Sequence, residues 1–188
     1  MGPHNTSPSK RWNMTGNYPW KSILGGDGME VQIDSRNPNI VYTGSQFGFY
    51  SRLDLETGKR RSIKPVHELG QSPFRFNWQT PIRLSSHNQD VLYYGSNFLH
   101  KSVDKGDSWE IISEDLTKGG KIGNVPYGTL TTISESPLNK DIIYTGSDDG
   151  MIHVTKNGGK TWKNISQDLP QDLWVSKVYA SAHDKGTV

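Results

Sequence analysis

Ile40-Val41-Tyr42-Thr43-Gly44-Ser45 returns as Val91-Leu92-Tyr93-Tyr94-Gly95-Ser96 and again as Ile142-Ile143-Tyr144-Thr145-Gly146-Ser147, at intervals of 51 residues. Each copy follows a polar turn: Ser35-Arg36-Asn37-Pro38-Asn39, Ser86-His87-Asn88-Gln89-Asp90 and Ser136-Pro137-Leu138-Asn139-Lys140-Asp141. A run of β-branched, aliphatic and aromatic residues between such turns reads as a strand. Self-similarity at a fixed period of about fifty residues reads as a repeat architecture. The downstream halves repeat as well. Ser102-Val103-Asp104-Lys105-Gly106-Asp107-Ser108-Trp109 is matched by Thr155-Lys156-Asn157-Gly158-Gly159-Lys160-Thr161-Trp162, and Ile112-Ser113-Glu114-Asp115-Leu116 by Ile165-Ser166-Gln167-Asp168-Leu169. The first unit keeps a degenerate form, Ser51-Arg52-Leu53-Asp54-Leu55-Glu56-Thr57-Gly58.

Each unit therefore predicts four strands. In the middle unit they run from Asn77 to Leu84, Val91 to Gly95, Leu99 to Val103 and Ser108 to Ile112. Four antiparallel strands per repeat make one propeller blade. The predicted fold is all-β: about three and a half four-stranded antiparallel β-propeller blades, a fragment of a larger propeller. An open β-sandwich is the competing fold, but it does not require the same tryptophan in successive units. The expected division is a polar extension over 1–19, blade 1 over 20–72, blade 2 over 73–123, blade 3 over 124–173, and the first strand of a further blade over 174–188. Trp174 to Ala182 alternates like such a strand, and Arg11 to Leu24 is a candidate end for a preceding blade. A propeller hides its edges by closing a ring of roughly 4–8 blades. The chain is thus expected to be a fragment, to self-associate with other copies, or to combine its two ends in one blade.

The composition agrees. The 188 residues include 20 Gly, 10 Pro, 6 Trp and 8 Tyr, which suits short strands and tight turns. Lys and Arg number 21 against 19 Asp and Glu, a scattered balance that predicts no nucleic-acid partner. With no cysteine, disulfides, thiolate zinc sites and cysteine nucleophiles are excluded. No apolar stretch approaches the ~18–20 residues of a membrane span. The first twenty residues are polar, broken by Pro3, Pro8 and Pro19, and unlike a signal peptide.

The pattern S-x-D-x-G-x-[ST]-W is complete at Ser102, Asp104, Gly106 and Trp109, and recurs with substitutions at Thr155, Asn157, Gly159 and Trp162. Asp104 and Asn157 are positioned to accept hydrogen bonds from the N–H groups of their own turns. Gly106 and Gly159 suit positive φ, and each tryptophan is a candidate to pack between strands. These eight are expected to be structural.

Those residues resemble the Asp-box (bacterial neuraminidase repeat) propeller superfamily, which includes sialidases, photosystem assembly factors and sortilin-type receptor domains. Within it the chain is similar to large bacterial sortilin-like propeller proteins that are labelled glycosyl hydrolases. The segments that carry this are Gly25-Gly26-Asp27-Gly28, Arg75-Phe76-Asn77-Trp78-Gln79-Thr80-Pro81-Ile82, Lys101 to Thr117, and Tyr127-Gly128-Thr129-Leu130-Thr131-Thr132-Ile133. The resemblance implies a non-catalytic binding or scaffold module of an exported bacterial protein, at an extracytoplasmic location. The alternative is an incomplete part of a sialidase-like glycoside hydrolase. For a sialidase, Phe74-Arg75-Phe76-Asn77 lacks the proline of the family's arginine motif, Arg60 and Arg61 sit beside a turn, and no arginine recurs at the position of Arg75. No catalytic residue is assigned.

No cofactor or metal is expected. His100 and His153 occupy matching positions 53 residues apart, which reads as shared strand packing. Asp148 and Asp149 are expected in a solvated turn, with weak calcium binding as the alternative. Sequons at Asn5, Asn13 and Asn164 carry little weight.

Propellers usually meet ligands on the face opposite the strand three to strand four turns, or in the central channel; that is fold-level analogy. This face is expected to carry Phe47, Phe98, Asp148 and Asp149 from the turns between strands two and three. Arg75, Asn77, Trp78, Tyr127 and Trp174 join from the links between blades. Aromatics beside amides and one arginine suit a protein or peptide segment, or a glycan. The competing reading is that Phe47, Phe98 and Trp78 fill space between blades.

Overall fold

A computed structural model of the chain describes residues 22–170 and 172–188. The extension over 1–19, the start of blade 1, most of Arg11 to Leu24, and the sequons at Asn5 and Asn13 lie outside the described residues. Among those described there are three four-stranded antiparallel sheets and no helix. The first holds β1 (Val31–Ile33), β2 (Ile40–Ser45), β3 (Phe49–Asp54) and β4 (Arg60–Ser62). The second holds β5 (Ile82–Leu84), β6 (Leu92–Gly95), β7 (Leu99–Ser102) and β8 (Glu110–Ile111). The third holds β9 (Leu130–Ser136), β10 (Asn139–Ser147), β11 (Ile152–Thr155) and β12 (Lys163–Asn164). Spatial order follows chain order in every sheet.

Strand register reproduces the sequence repeat. Gln32 stands opposite Tyr42, Arg83 opposite Tyr93, and Ser134 opposite Tyr144. The first strands β1, β5 and β9 neighbour one another, so the sheets stand side by side as propeller blades about a shared inner wall.

The core lies between blades. Tyr42, Tyr50, Ile63, Phe76, Ile82, Leu92 and Tyr94 fill the seam between blades 1 and 2. Tyr93, Leu99, Leu116, Leu130, Ile133 and Ile143 fill the next one. The repeat glycine belongs to this packing: a Cβ on Gly95 would stand 2.7 Å from the Pro81 ring and 3.0 Å from Leu130. Close approach of the following blade therefore excludes a side chain there.

The two long turns bind themselves and the preceding blade. In the first, Asp104 Oδ1 accepts hydrogen bonds from the Ser102 hydroxyl at 2.7 Å and the Ser108 N–H at 2.9 Å. The Ser108 hydroxyl donates to its other oxygen. These donors hold the Asp104 carboxyl down at about 2. Asn157 does the same with an amide, accepting from Thr161 N–H and donating to the Thr161 hydroxyl. Gly106 and Gly159 take φ of 86° and 101°. Trp109 Nε1 donates to the Ile63 carbonyl at 2.9 Å, and Trp162 Nε1 to the Ile112 carbonyl at 2.8 Å. The degenerate turn of blade 1 is closed similarly, Asp54 accepting from the N–H groups of Glu56 and Thr57 and from the Thr57 hydroxyl.

Two strand expectations are corrected. The first strand of blade 2 is only Ile82–Leu84, because Asn77 and Thr80 close a local turn before it. Asn77 Oδ1 accepts from Gln79 N–H, the Thr80 hydroxyl donates to the Asn77 carbonyl, and Pro81 has no donor for a ladder. Trp174 to Ala182 forms no ladder either. It lies along β9, where Val178 N–H donates to the Thr132 hydroxyl and Ala180 N–H to the Ser134 hydroxyl. Val178 and Ala180 nonetheless complete a third seam with Ile142, Tyr144 and Val154.

Candidate ligand-binding face

The turn between β2 and β3 lies at the end of the blade opposite the Asp54–Lys59 turn. Phe47 and Gly48 both have positive φ, 57° and 73°, as a tight hairpin turn requires. For phenylalanine that conformation is costly. It is pinned from two sides: Phe47 N–H donates to the Trp78 carbonyl at 3.1 Å, and Lys64 Nζ donates to the Phe47 carbonyl at 2.8 Å. The Lys64 ammonium also sits 3.9 Å from the centre of the Phe49 ring and 4.5 Å from that of Phe76. Burial lowers its pKa. The Phe47 ring meets Trp78 edge to face, centroids 5.0 Å apart, and Trp78 keeps 45% of its surface exposed. Of the expected aromatics, Phe47 and Trp78 are packed on one another with the indole left exposed, while Phe47 itself is half-buried.

The polar members gather beside it but turn inward. Arg75 Nε donates to the Gly128 carbonyl at 3.0 Å, while its Nη2 donates to Asp115 at 2.7 Å and to the Thr117 hydroxyl at 3.1 Å. Asn77 Nδ2 donates to the Thr129 hydroxyl. Asp148 accepts from the N–H groups of Gly128 and Thr129 and from the Thr129 hydroxyl. Asp149 accepts from the Lys118 N–H and the Ser147 hydroxyl. The expectation of a solvated turn is thereby corrected: Asp148 is 5% exposed and Asp149 0%, each satisfied by N–H donors that the link into blade 3 brings to it. Calcium binding has no support there, and among the described residues no group of acids and histidines is arranged to hold a metal ion.

Phe98 joins an aromatic cluster centred on Phe74, which also touches Phe76, His67 and His100. His100 is buried on β7, its Nε2 2.7 Å from the Ser96 hydroxyl, and burial lowers its pKa to about 4. Tyr127 stands apart under Lys121, whose Nζ is 4.2 Å from the ring centroid. Trp174 is exposed and stacked on none of the other candidates. Phe74 and Lys64, which support the Phe47–Trp78 and Phe98 arrangement, were not singled out by the sequence. Neither was a recess of about 270 Å³ on the inner wall, lined by Glu30, Gln32, Arg83, Thr132 and Lys177. Inward and outward alternation along β5 is the signal that would have found Arg83. Burial raises the pKa of Glu30 in that recess.

The geometry defines an all-β protein of propeller blades, and comparison with known proteins agrees. No family model matches the chain. Over 104 residues, 55% of the chain, it is 29% identical to Vacuolar protein sorting/targeting protein 10 of Emericella nidulans, of which it spans 6%. It is similar in structure to the extracellular domain of a hybrid two-component system of B. thetaiotaomicron, with TM-score 0.57 and 14% identity over 83% of this chain and 19% of that one. An ancestral GH74 enzyme gives TM-score 0.54 and 18% identity over 81% and 19%. The Niastella koreensis GH74 enzyme gives 0.53 and 17% over 79% and 23%. At these identities the structural likeness carries the fold alone. No helix among the described residues is long and apolar enough to cross a membrane.

Proposed function

We propose that this chain is part of a non-catalytic binding propeller of the Asp-box, sortilin-like kind, which holds a peptide segment on the face carrying Phe47 and Trp78. The carrying observation is that pair. An exposed indole is fixed edge to face on a phenylalanine whose positive φ is maintained by two hydrogen bonds. Preformed aromatic area of this kind binds without a large ordering cost. Lys64, which bonds the Phe47 carbonyl, adds a positive charge beside the pair.

The relative named for vacuolar protein sorting and targeting supports a polypeptide ligand, and an extracytoplasmic setting belongs to the same proposal. The glycosidase reading gains no observation. The paired carboxylates Asp148 and Asp149 are spent on backbone N–H groups, and Arg75 is spent on Gly128, Asp115 and Thr117.

The test is capture of binding peptides from a random display library on the 188-residue chain. Trp78→Ala should lose the captured peptides by at least about tenfold while circular dichroism stays unchanged. Retention of binding by the folded variant would refute the reading, and enrichment of an oligosaccharide in a parallel glycan array, lost in the same variant, would replace peptide by glycan. Arg75→Ala is a poor probe, because it unties the link into blade 3.

A further inference from the structure

Register places Arg52 of β3 directly opposite Arg61 of β4. Like charges in that position are destabilising. The equivalent pair in blade 2 is Lys101 opposite Glu110, and in blade 3 Val154 opposite Lys163. The opposed arginines are therefore particular to blade 1. One carboxylate from the next blade serves both: Asp107 lies 3.0 Å from Arg52 Nη2 and 2.8 Å from Arg61 Nε. Around them opens a cleft of about 580 Å³ between blades 1 and 2, to which Lys59, Arg60 and Lys105 add three more cations. Asp54 is the acid of the lining, and its oxygens are occupied by the turn it closes. Five cations thus face three acids, Asp54, the shared Asp107 and Asp90, which lies 3.6 Å from Lys105, and the local excess of charge remains positive.

The cleft is bounded by a sheet edge. β4 is the outer strand of its sheet and is exposed along its length. Tyr50 bonds Ile63 and Asp54 bonds Lys59, so by antiparallel alternation Arg61 turns its backbone groups to β3, while Arg60 and Ser62 turn theirs outward. Charge on an edge strand ordinarily discourages pairing with other strands. Here the charge is of one sign and is incompletely neutralised, so it discourages all strands except acidic ones.

We propose that this cleft is a second binding site, on the side away from Trp78, which takes an acidic peptide segment as an added strand on β4. The outward N–H and C=O groups of Arg60 and Ser62 pair with the peptide backbone. Carboxylates on one face of the peptide meet the exposed guanidinium of Arg61 in the forked geometry that arginine favours, while Arg52, held by the Lys105 carbonyl and Asp107, adds positive charge behind it.

The experiment uses the 188-residue chain and a fluorescein-labelled peptide of alternating Glu and Val, read by fluorescence anisotropy at low salt. The peptide should bind, and more weakly as salt is added, whereas a counterpart of alternating Lys and Val should not bind. Arg61→Gln removes one cation and leaves Arg52 to Asp107, so it should keep the fold and weaken the peptide; Arg61→Glu, which sets a second acid beside Asp107, should weaken it further, at least about tenfold. Ser62→Pro removes an outward N–H from an edge position that tolerates proline, and should weaken the peptide while leaving folding intact. Lys163→Glu, on blade 3 and opposite Val154, should change binding little. Absence of low-salt binding, or binding indifferent to Arg61→Glu, overturns the site. A sulfated oligosaccharide that binds more tightly than the peptide, with neither ligand sensitive to Ser62→Pro, overturns the peptide assignment. Loss of peptide capture in Trp78→Ala leaves this site unaffected, so the two readings fail separately.

Discussion

The indole N–H of Trp109 donates to the carbonyl of Ile63, 46 residues earlier and one blade back. Trp162 repeats the bond to Ile112, and in each case the glycine of the same turn backs onto the same isoleucine. The tryptophan is thus both a packing residue and a polar staple between blades. Trp109→Phe, which keeps most of the ring area and removes the donor, should cost ~1–3 kcal/mol through an orphaned carbonyl. Trp162→Phe should cost a similar amount. Urea unfolding of the two variants checks both, and equality within error is the expected outcome.

The Asp104 turn should tolerate an amide. Asp104→Ala removes the acceptor of three hydrogen bonds and should lower stability by about 1–2 kcal/mol, as the loss of a capping side chain does. Asp104→Asn should cost less than half of that, because Asn157 closes the equivalent turn with the same oxygen and a donating amide. A reversed order in thermal or urea unfolding would contradict this account of the turn.

Gly95 should not accept a methyl group. A Cβ there meets the ring of Pro81 and the Cβ of Leu130, neither of which can swing aside. Gly95→Ala should therefore destabilise by about 1–3 kcal/mol although it lowers the entropy of the unfolded chain. Gly28→Ala, where nothing lies within 4 Å, is the control and should be near neutral in the same unfolding measurement.

Acid should weaken the fold in two stages. Burial lowers His100 from 6.5 to about 4, so between those values the unfolded chain binds a proton that the folded one refuses. Stability is then full above about pH 6.5 and falls as pH drops toward 4, by at most about 3 kcal/mol. His153, lowered mainly by burial, acts in the same direction. The Asp104 contribution is present above its ordinary 3.8 and is lost only as pH falls from there to about 2. Urea midpoints from pH 7 to 2 should show both declines in the native chain, and His100→Gln should reduce the first, leaving the His153 share, without changing the second.

The blades were legible in the sequence because their causes are local. Tyr-x-Gly-Ser strands, turn acids and glycines, and a tryptophan after each long turn all act within a few residues or at the repeat distance. The first strand of blade 2 was overread because Asn77 and Thr80 spend their groups on a local turn, which apolar periodicity does not register. Asp148 and Asp149 were misplaced for the opposite reason. Adjacent carboxylates beside a glycine look solvated, and their partners Lys118, Gly128 and Thr129 come from the link between blades, 19–31 residues away. Arg75 stands out in the sequence, but its bonds to Gly128 and Asp115 span 53 and 40 residues and cannot be read from spacing. The opposed Arg52 and Arg61 depend on strand register, which the degenerate first turn left unspecified.

The tryptophan staples also have a direction. Each donor lies C-terminal to its acceptor, so during synthesis the Ile63 carbonyl emerges well before Trp109, and the Ile112 carbonyl before Trp162. For these two bonds the later blade docks onto a carbonyl that is already outside the ribosome, whereas Arg75 and Asn77 of blade 2 wait for Gly128 and Thr129 of blade 3. The staples themselves can close in the order of translation.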